Sequence, residues 1–278
     1  MAVNYTAIAS SPPTVGAWLV ADARHFQIAT LASLLVLHVG WFDLGATPLQ
    51  AAVTIAAAVV TQYAFSRLSG AATFDWRSPL ITGLSLSLLL RSHAPLLWLL
   101  APALAIGSKY LLRWGGKHFF NPATFAIVTL LLLSPDAWVS PGQWGQSTWM
   151  VLLFVCAGGL VLQRAERADT ALAFLGCYAG LLCWRAWSLG DPPAIPLNQL
   201  QSGALLLFGF FMITDPRSTP DRRLGRILFA MAVALIAYWL QFRWQMRPAL
   251  FYALAAVSPL TPLIDRLLPA PRFVWRRR

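Results

Sequence analysis

The sequence is short of charge, and shortest of acid. Only 11% of its 278 residues are charged, and 10 Asp and Glu stand against 21 Lys and Arg. Soluble domains carry about 25% charged residues, so a water-exposed globular domain is excluded. Cysteine is also scarce. Cys156, Cys177 and Cys183 form no C-x-x-C pair, so zinc, iron–sulfur and disulfide frameworks lack their ligand spacing, and buried inert thiols are expected. No metal site is expected. The apolar runs have none of the period-two alternation of a membrane β-barrel. Residues 1–24 carry no basic stretch ahead of an apolar core, so no cleavable signal peptide is expected. The net charge of +11 raises nucleic acid as a partner, but the basic residues sit between apolar runs and make no aromatic-laced patch. Nucleic acid is therefore excluded.

What the chain has in quantity is apolar sequence: 58% hydrophobic residues and a mean hydropathy of +0.62. Ten apolar segments can be drawn, near 26–42, 48–67, 78–90, 94–113, 121–134, 147–163, 169–187, 200–213, 222–241 and 248–268. The fold class expected is an all-α polytopic membrane protein. With the N-terminus inside, seventeen Lys and Arg fall on the inner side and four (Arg91, Arg185, Arg243 and Arg247) on the outer. This positive-inside bias makes both termini cytoplasmic, and the lipid bilayer is the first partner. Residues 1–25 form a cytoplasmic segment, 26–268 one transmembrane domain with halves 26–134 and 147–268, and 269–278 a basic tail.

A span needs about 20 residues, and the third, fifth and eighth segments are too short. Short or interrupted segments at corresponding places in two halves mark discontinuous helices at a binding site. The breaks themselves are polar. One runs from Gly115-Gly116 to Asn121-Pro122-Ala123, the other through Thr214-Asp215-Pro216-Arg217-Ser218-Thr219-Pro220. Two prolines that close together cannot lie in one helix, and the hydroxyls and carboxylate cap exposed N–H groups. Ser78-Pro79, Asn121-Pro122 and Thr219-Pro220 each read as a cap followed by proline at the first helical position. Asp215 alone among the membrane-end aspartates sits in a polar turn cluster, where capping and functional roles compete. His38, inside a predicted span without a second ligand, reads as a hydrogen-bonded core histidine. Most tryptophans lie near segment ends, as an interfacial belt.

Ser78-Pro79-Leu80-Ile81-Thr82-Gly83-Leu84, Gly115-Gly116 through Phe120-Asn121-Pro122-Ala123, Phe211-Met212-Ile213-Thr214-Asp215-Pro216 and Leu263-Ile264-Asp265-Arg266 occur in order. Over roughly residues 60–268 they resemble one family, that of the D subunit of the Rnf electron-transport complex and the B subunit of sodium-pumping NADH:quinone reductase. The resemblance implies about ten transmembrane segments in two inverted five-helix repeats, like a urea transporter, in the bacterial inner membrane. It also implies a flavin, FMN or riboflavin, in an electron-transfer subunit that works with other membrane redox subunits of an ion-coupled complex. In the family an FMN phosphate is esterified to the threonine of an outer Gly-Glu-Thr-Ser loop. The matching stretch here is Pro141-Gly142-Gln143-Trp144-Gly145-Gln146-Ser147-Thr148: Gln146 replaces the glutamate and Ser147 stands at the threonine position, with the Thr148 hydroxyl next. Cofactor contacts are thus expected from Ser147, Thr148, Asn121, Thr214 and Asp215, and no catalytic side chain is named. A second reading is a small-solute or ion channel that uses the same fold, and a third is an assembly subunit without a ligand.

Overall fold

A computed structural model describes residues 22–40, 47–70, 73–140 and 148–274. Almost all of it is helix. In chain order the elements are α1 (Ala23–Gly40), α2 (Pro48–Leu68), α3 (Arg77–Leu89), α4 (Pro95–Leu111), α5 (Pro122–Leu133), α6 (Thr148–Ala165), α7 (Ala168–Leu189) and α8 (Ala194–Leu200). They continue with α9 (Gly203–Leu207), which runs on as a π-helical turn (Phe208–Met212), then α10 (Arg223–Arg243), α11 (Ala249–Val257) and α12 (Thr261–Leu267), the last two joined by a 3-10 turn (Ser258–Leu260). A helix stands at each of the ten expected segments. Four are long and apolar enough to cross a membrane, or five if the bent pair Ala194–Leu200 and Gly203–Met212, which meet at 50°, counts as one span.

The helix surfaces declare the surrounding solvent. Val60, Leu172 and Trp187 are 66%, 70% and 81% exposed on helices whose opposite faces are buried. Apolar exposure on that scale, repeated over every long helix, suits hydrocarbon and not water. The chain is a mostly helical polytopic membrane protein. The cysteines follow the same logic. They were expected to be buried, yet Cys156 and Cys183 are exposed and Cys177 intermediate, because outward faces of α6 and α7 are apolar for the sake of lipid.

Packing is alike in the two halves. In the first, α2 lies along α4 and α4 along α5; in the second, α7 lies along α10 and α10 along α11. The first helices, α1 and α6, pack on each other, as do the last, α5 and α11. Each half staples its second helix to its fourth with a Gln–Tyr hydrogen bond. Gln62 donates to the Tyr110 hydroxyl at 2.6 Å, and the Tyr178 hydroxyl donates to Gln241 with the roles exchanged.

Two of the three proposed cap-and-proline starts are corrected. Asn121-Pro122 behaves as expected: Asn121 Oδ1 accepts from Thr124 N at 3.0 Å and Pro122 opens α5. In contrast, α3 begins one residue before Ser78, where Asp75 Oδ1 accepts from Arg77 N at 3.3 Å. Pro79 is tolerated because first-turn N–H groups lack intrahelical partners anyway. Pro220 stands three residues outside α10, which starts at Arg223.

Two short strand pairs went unforeseen. Arg113–Trp114 pairs antiparallel with Lys117–His118 around Gly115 and Gly116, whose φ values are +55° and +85°. A two-residue turn with both φ positive is the hairpin connection that glycine favours. Leu90–Ser92 pairs with Ala137–Val139. It extends the end of α3, whose open carbonyls are met by Arg91: the guanidinium donates to Ser87 O at 2.7 Å, Leu90 O at 2.9 Å and Leu88 O at 3.1 Å. Arg91 also contacts His38 Nε2, and the two side chains are 2% and 1% exposed. His38 is therefore a hydrogen-bonded core residue.

Candidate functional site

The shortness of α3, α5 and α9 leaves their polar ends inside the protein. The first turns of α3 and α5 and the chain after the π-helical turn converge on one cavity of about 160 Å³. Its walls come from both halves: Ser78, Thr82 and Ser85 on α3, Asn121 to Ala123 at the start of α5, Val161, Leu162 and Ala165 on α6, and Phe210 to Met212 with Thr214 to Arg217. Arg24 and Asp75, paired with each other, also line it.

Asn121 joins the halves. While its Oδ1 caps α5, its Nδ2 donates across to Met212 O at 3.2 Å. Opposite, the Thr214 hydroxyl donates to Phe210 O at 2.6 Å and closes the π-helical turn. Asp215 organises the turn that follows. Its Oδ1 accepts from Arg217 N at 3.1 Å, its Oδ2 from the Ser218 hydroxyl at 3.1 Å, and its backbone carbonyl from the Thr219 hydroxyl at 2.9 Å. Burial works to raise the Asp215 pKa, but the His118 imidazole, 3.9 Å away, the Arg217 N–H and the Ser218 hydroxyl hold it below the usual carboxylate range. Asp215 is thus both a cap and a charge facing the cavity.

The least expected member is Lys109 on α4, only 7% exposed. Its ammonium donates to Gln62 Oε1 and to the Ser78 hydroxyl, each at 2.8 Å. Both acceptors are neutral, and an ammonium has three donors, so one N–H is left over among the described residues. Lys109 is one of the seventeen basic residues counted on the inner side. The signal it carried was position: the last turn of an otherwise apolar helix that ends against a polar break.

Of the five expected cofactor residues, Asn121, Thr214 and Asp215 come together on this cavity. Ser147 lies outside the described residues. Thr148 opens α6, whose cavity-lining positions begin at Val161. Thirteen residues of helix, about 20 Å, separate Thr148 from Val161.

A match to the family described as NQR2, RnfD, RnfE covers residues 138–273, which include the second-half wall of the cavity. Over those residues the chain is similar to this family. It is 28% identical over 250 residues to the D subunit of the ion-translocating oxidoreductase complex of Pseudomonas paraeruginosa, covering 68% of this chain and 72% of that protein. It is 27% identical to the D subunit of the Na(+)-translocating ferredoxin:NAD(+) oxidoreductase complex of Acetobacterium woodii, over 59% of this chain and 56% of that one. A third relative, the D subunit of the proton-translocating ferredoxin:NAD(+) oxidoreductase complex of Clostridium ljungdahlii, is 24% identical over 86% and 87%. The last two are named for translocating different ions, Na(+) and the proton.

Proposed function

We propose that this chain is a flavin-binding, integral membrane electron-transfer subunit of an ion-coupled redox complex. It would lie in the bacterial cytoplasmic membrane, with both termini on the cytoplasmic side and residues 26–268 as one domain of two inverted five-segment repeats, 26–134 and 147–268. The observation that carries the reading is the meeting of two helix breaks, one from each half, in a single polar cavity bridged by Asn121 and Met212. The matched packing of the halves supports the repeat, and the relatives' names support the redox complex and its partner subunits.

The cavity tests the cofactor by size and chemistry. An apolar cavity of about 150 Å³ admits benzene, so about 160 Å³ would admit one ring of an isoalloxazine. The donors suit the polar pyrimidine end of a flavin. Lys109, with its third N–H, and Asn121 and Thr214 are the residues that would hold it. The flavin, when bound, supplies the electron chemistry, and the protein supplies position and charge. Ser147 and Thr148 are the hydroxyls proposed for esterified FMN.

Flavin content tests the reading. Protein purified from a host that supplies a flavin transferase is expected to release flavin on acid precipitation, and Lys109→Met to release less. An intact mass raised by one FMN would mark Ser147 or Thr148 as esterified. Absence of both bound and covalent flavin, with flux of a small solute in liposomes that Asn121→Ala abolishes, would replace this reading by the channel.

A further inference from the structure

A second cavity, of about 250 Å³, lies beyond the Gly115-Gly116 hairpin and plays no part in the site above. Its walls are Trp114, Lys117 and Phe119 from the hairpin side, Asp221 from the turn before α10, and Asp265, Arg266 and Arg272 from α12 and the chain beyond. Charge is divided across it. On one side two carboxylates share one ammonium: Lys117 Nζ lies 2.8 Å from Asp265 Oδ2 and 3.1 Å from Asp221 Oδ2, and also donates to Thr219 O at 2.7 Å. Asp265 Oδ1 accepts from Asp221 N at 2.8 Å. Asp221 Oδ1 has no hydrogen-bond partner among the described residues, although its side chain is only 7% exposed. On the other side stand two guanidinium groups without an ion pair among the described residues. Arg266 lies over the Trp114 ring at 4.8 Å, and Arg272 lies against the glycine turn.

A carboxylate oxygen without a hydrogen-bond partner among the described residues and two guanidinium groups thus belong to the walls of one cavity. Leu111 and Leu267, which end the two helices that lead into it, are 75% and 71% exposed, so the cavity opens at the edge of the lipid-facing surface. We propose that it binds the headgroup of an amine-bearing zwitterionic phospholipid. The ammonium donates to Asp221 Oδ1, and the phosphodiester accepts from Arg272 and Arg266. Trp114 stands at the headgroup level, where amphipathic rings are favoured. A choline headgroup has no N–H to give Asp221. A glycerol headgroup has hydroxyl donors but no positive charge for the acidic side.

Native mass spectrometry tests this on the full chain, released from detergent micelles that hold equimolar phosphatidylethanolamine, phosphatidylglycerol and phosphatidylcholine of identical acyl chains. One phosphatidylethanolamine is expected to be retained over phosphatidylcholine by about tenfold, the size one charge-assisted hydrogen bond supports. Asp221→Asn is expected to remove that preference while leaving phosphatidylglycerol retention unchanged, and Arg272→Gln to lower retention of all three. Equal retention of the three lipids, a preference for phosphatidylglycerol, unchanged selectivity in Asp221→Asn, or displacement of the lipid by inorganic phosphate would each overturn the proposal.

Discussion

Replacing Asn121 by alanine removes two interactions at once, and their sizes can be worked separately. The side chain caps α5 through Thr124 N and holds the opposite half through Met212 O. Loss of an N-cap costs about 1 kcal/mol. The Met212 carbonyl, on a residue 2% exposed, would keep only a long bond from Asp215 N at 3.4 Å, which adds about 1–2 kcal/mol for an under-satisfied buried acceptor. The sum is about 2–3 kcal/mol. At about 2–4 °C per kcal/mol for chains of comparable size, the apparent unfolding midpoint should fall by roughly 5–10 °C. Tryptophan fluorescence on heating in detergent reads it. Asn121→Ser retains the cap but cannot reach across, so its midpoint should lie between those of wild type and alanine. A shift in Asn121→Ala no larger than that of an exposed control such as Gln245→Ala would refute the reasoning, as would a serine variant as unstable as alanine.

Other residues give further predictions. Arg91→Met should lower stability by about 3 kcal/mol or more, because several carbonyls at the end of α3 lose a charge-assisted donor inside the protein; failure to purify as a single species by size-exclusion chromatography would agree, whereas wild-type thermal stability would not. Gly83→Ala places a Cβ 2.9 Å from the Ile55 backbone Cα, so α3 must move off α2 at about 1–3 kcal/mol, read as a lower melting midpoint. Gly158→Ala meets Phe210 Cγ at 2.7 Å and Cβ at 3.0 Å, atoms that turning the ring cannot clear, so α6 must shift against the π-helical turn, lowering the melting midpoint by a comparable amount and reducing the flavin retained. Asp215 supplies a pH test. Its folded pKa is depressed, so its contribution is complete above the ordinary carboxylate value of about 3.9 and is lost as pH falls through the lower folded value. The stability gap between wild type and Asp215→Asn should therefore be constant near neutral pH and close only in strong acid; a gap that closes between pH 6 and 8 contradicts this.

The helical, polytopic character was legible because hydrophobic length alone reports it, and the breaks were legible because Pro, Asn and Gly-Gly admit few conformations. Asn121, Thr214 and Asp215 could be singled out for the same reason: polar residues at the end of a short apolar run have nowhere else to point. Lys109 could not, since a lysine at a helix end looks the same in sequence whether it snorkels to the surface or turns inward onto Gln62. Ser78 was expected to cap α3, and the Arg77 N–H is instead met by Asp75, for a related reason. Proline sits anywhere in a first turn, so Ser78-Pro79 does not by itself fix where α3 begins. The Arg91 contacts were hidden because they depend on a carbonyl-rich helix end that only the short length of α3 creates. Cys156 and Cys183 mislead in a membrane, where an apolar position and a protein-buried one are different things.

The central claim is that the two helix breaks face each other across one cavity. It can be measured with cysteines placed at Asn121 and Met212, in a chain whose Cys156, Cys177 and Cys183 are replaced by alanine and whose 141–147 stretch carries a protease site. Oxidation or a short bifunctional thiol reagent in native membranes, followed by cleavage, should leave the two halves joined in the double variant and separate in each single variant. Halves that part after cleavage in the double variant, despite complete labelling of both cysteines, would contradict the account.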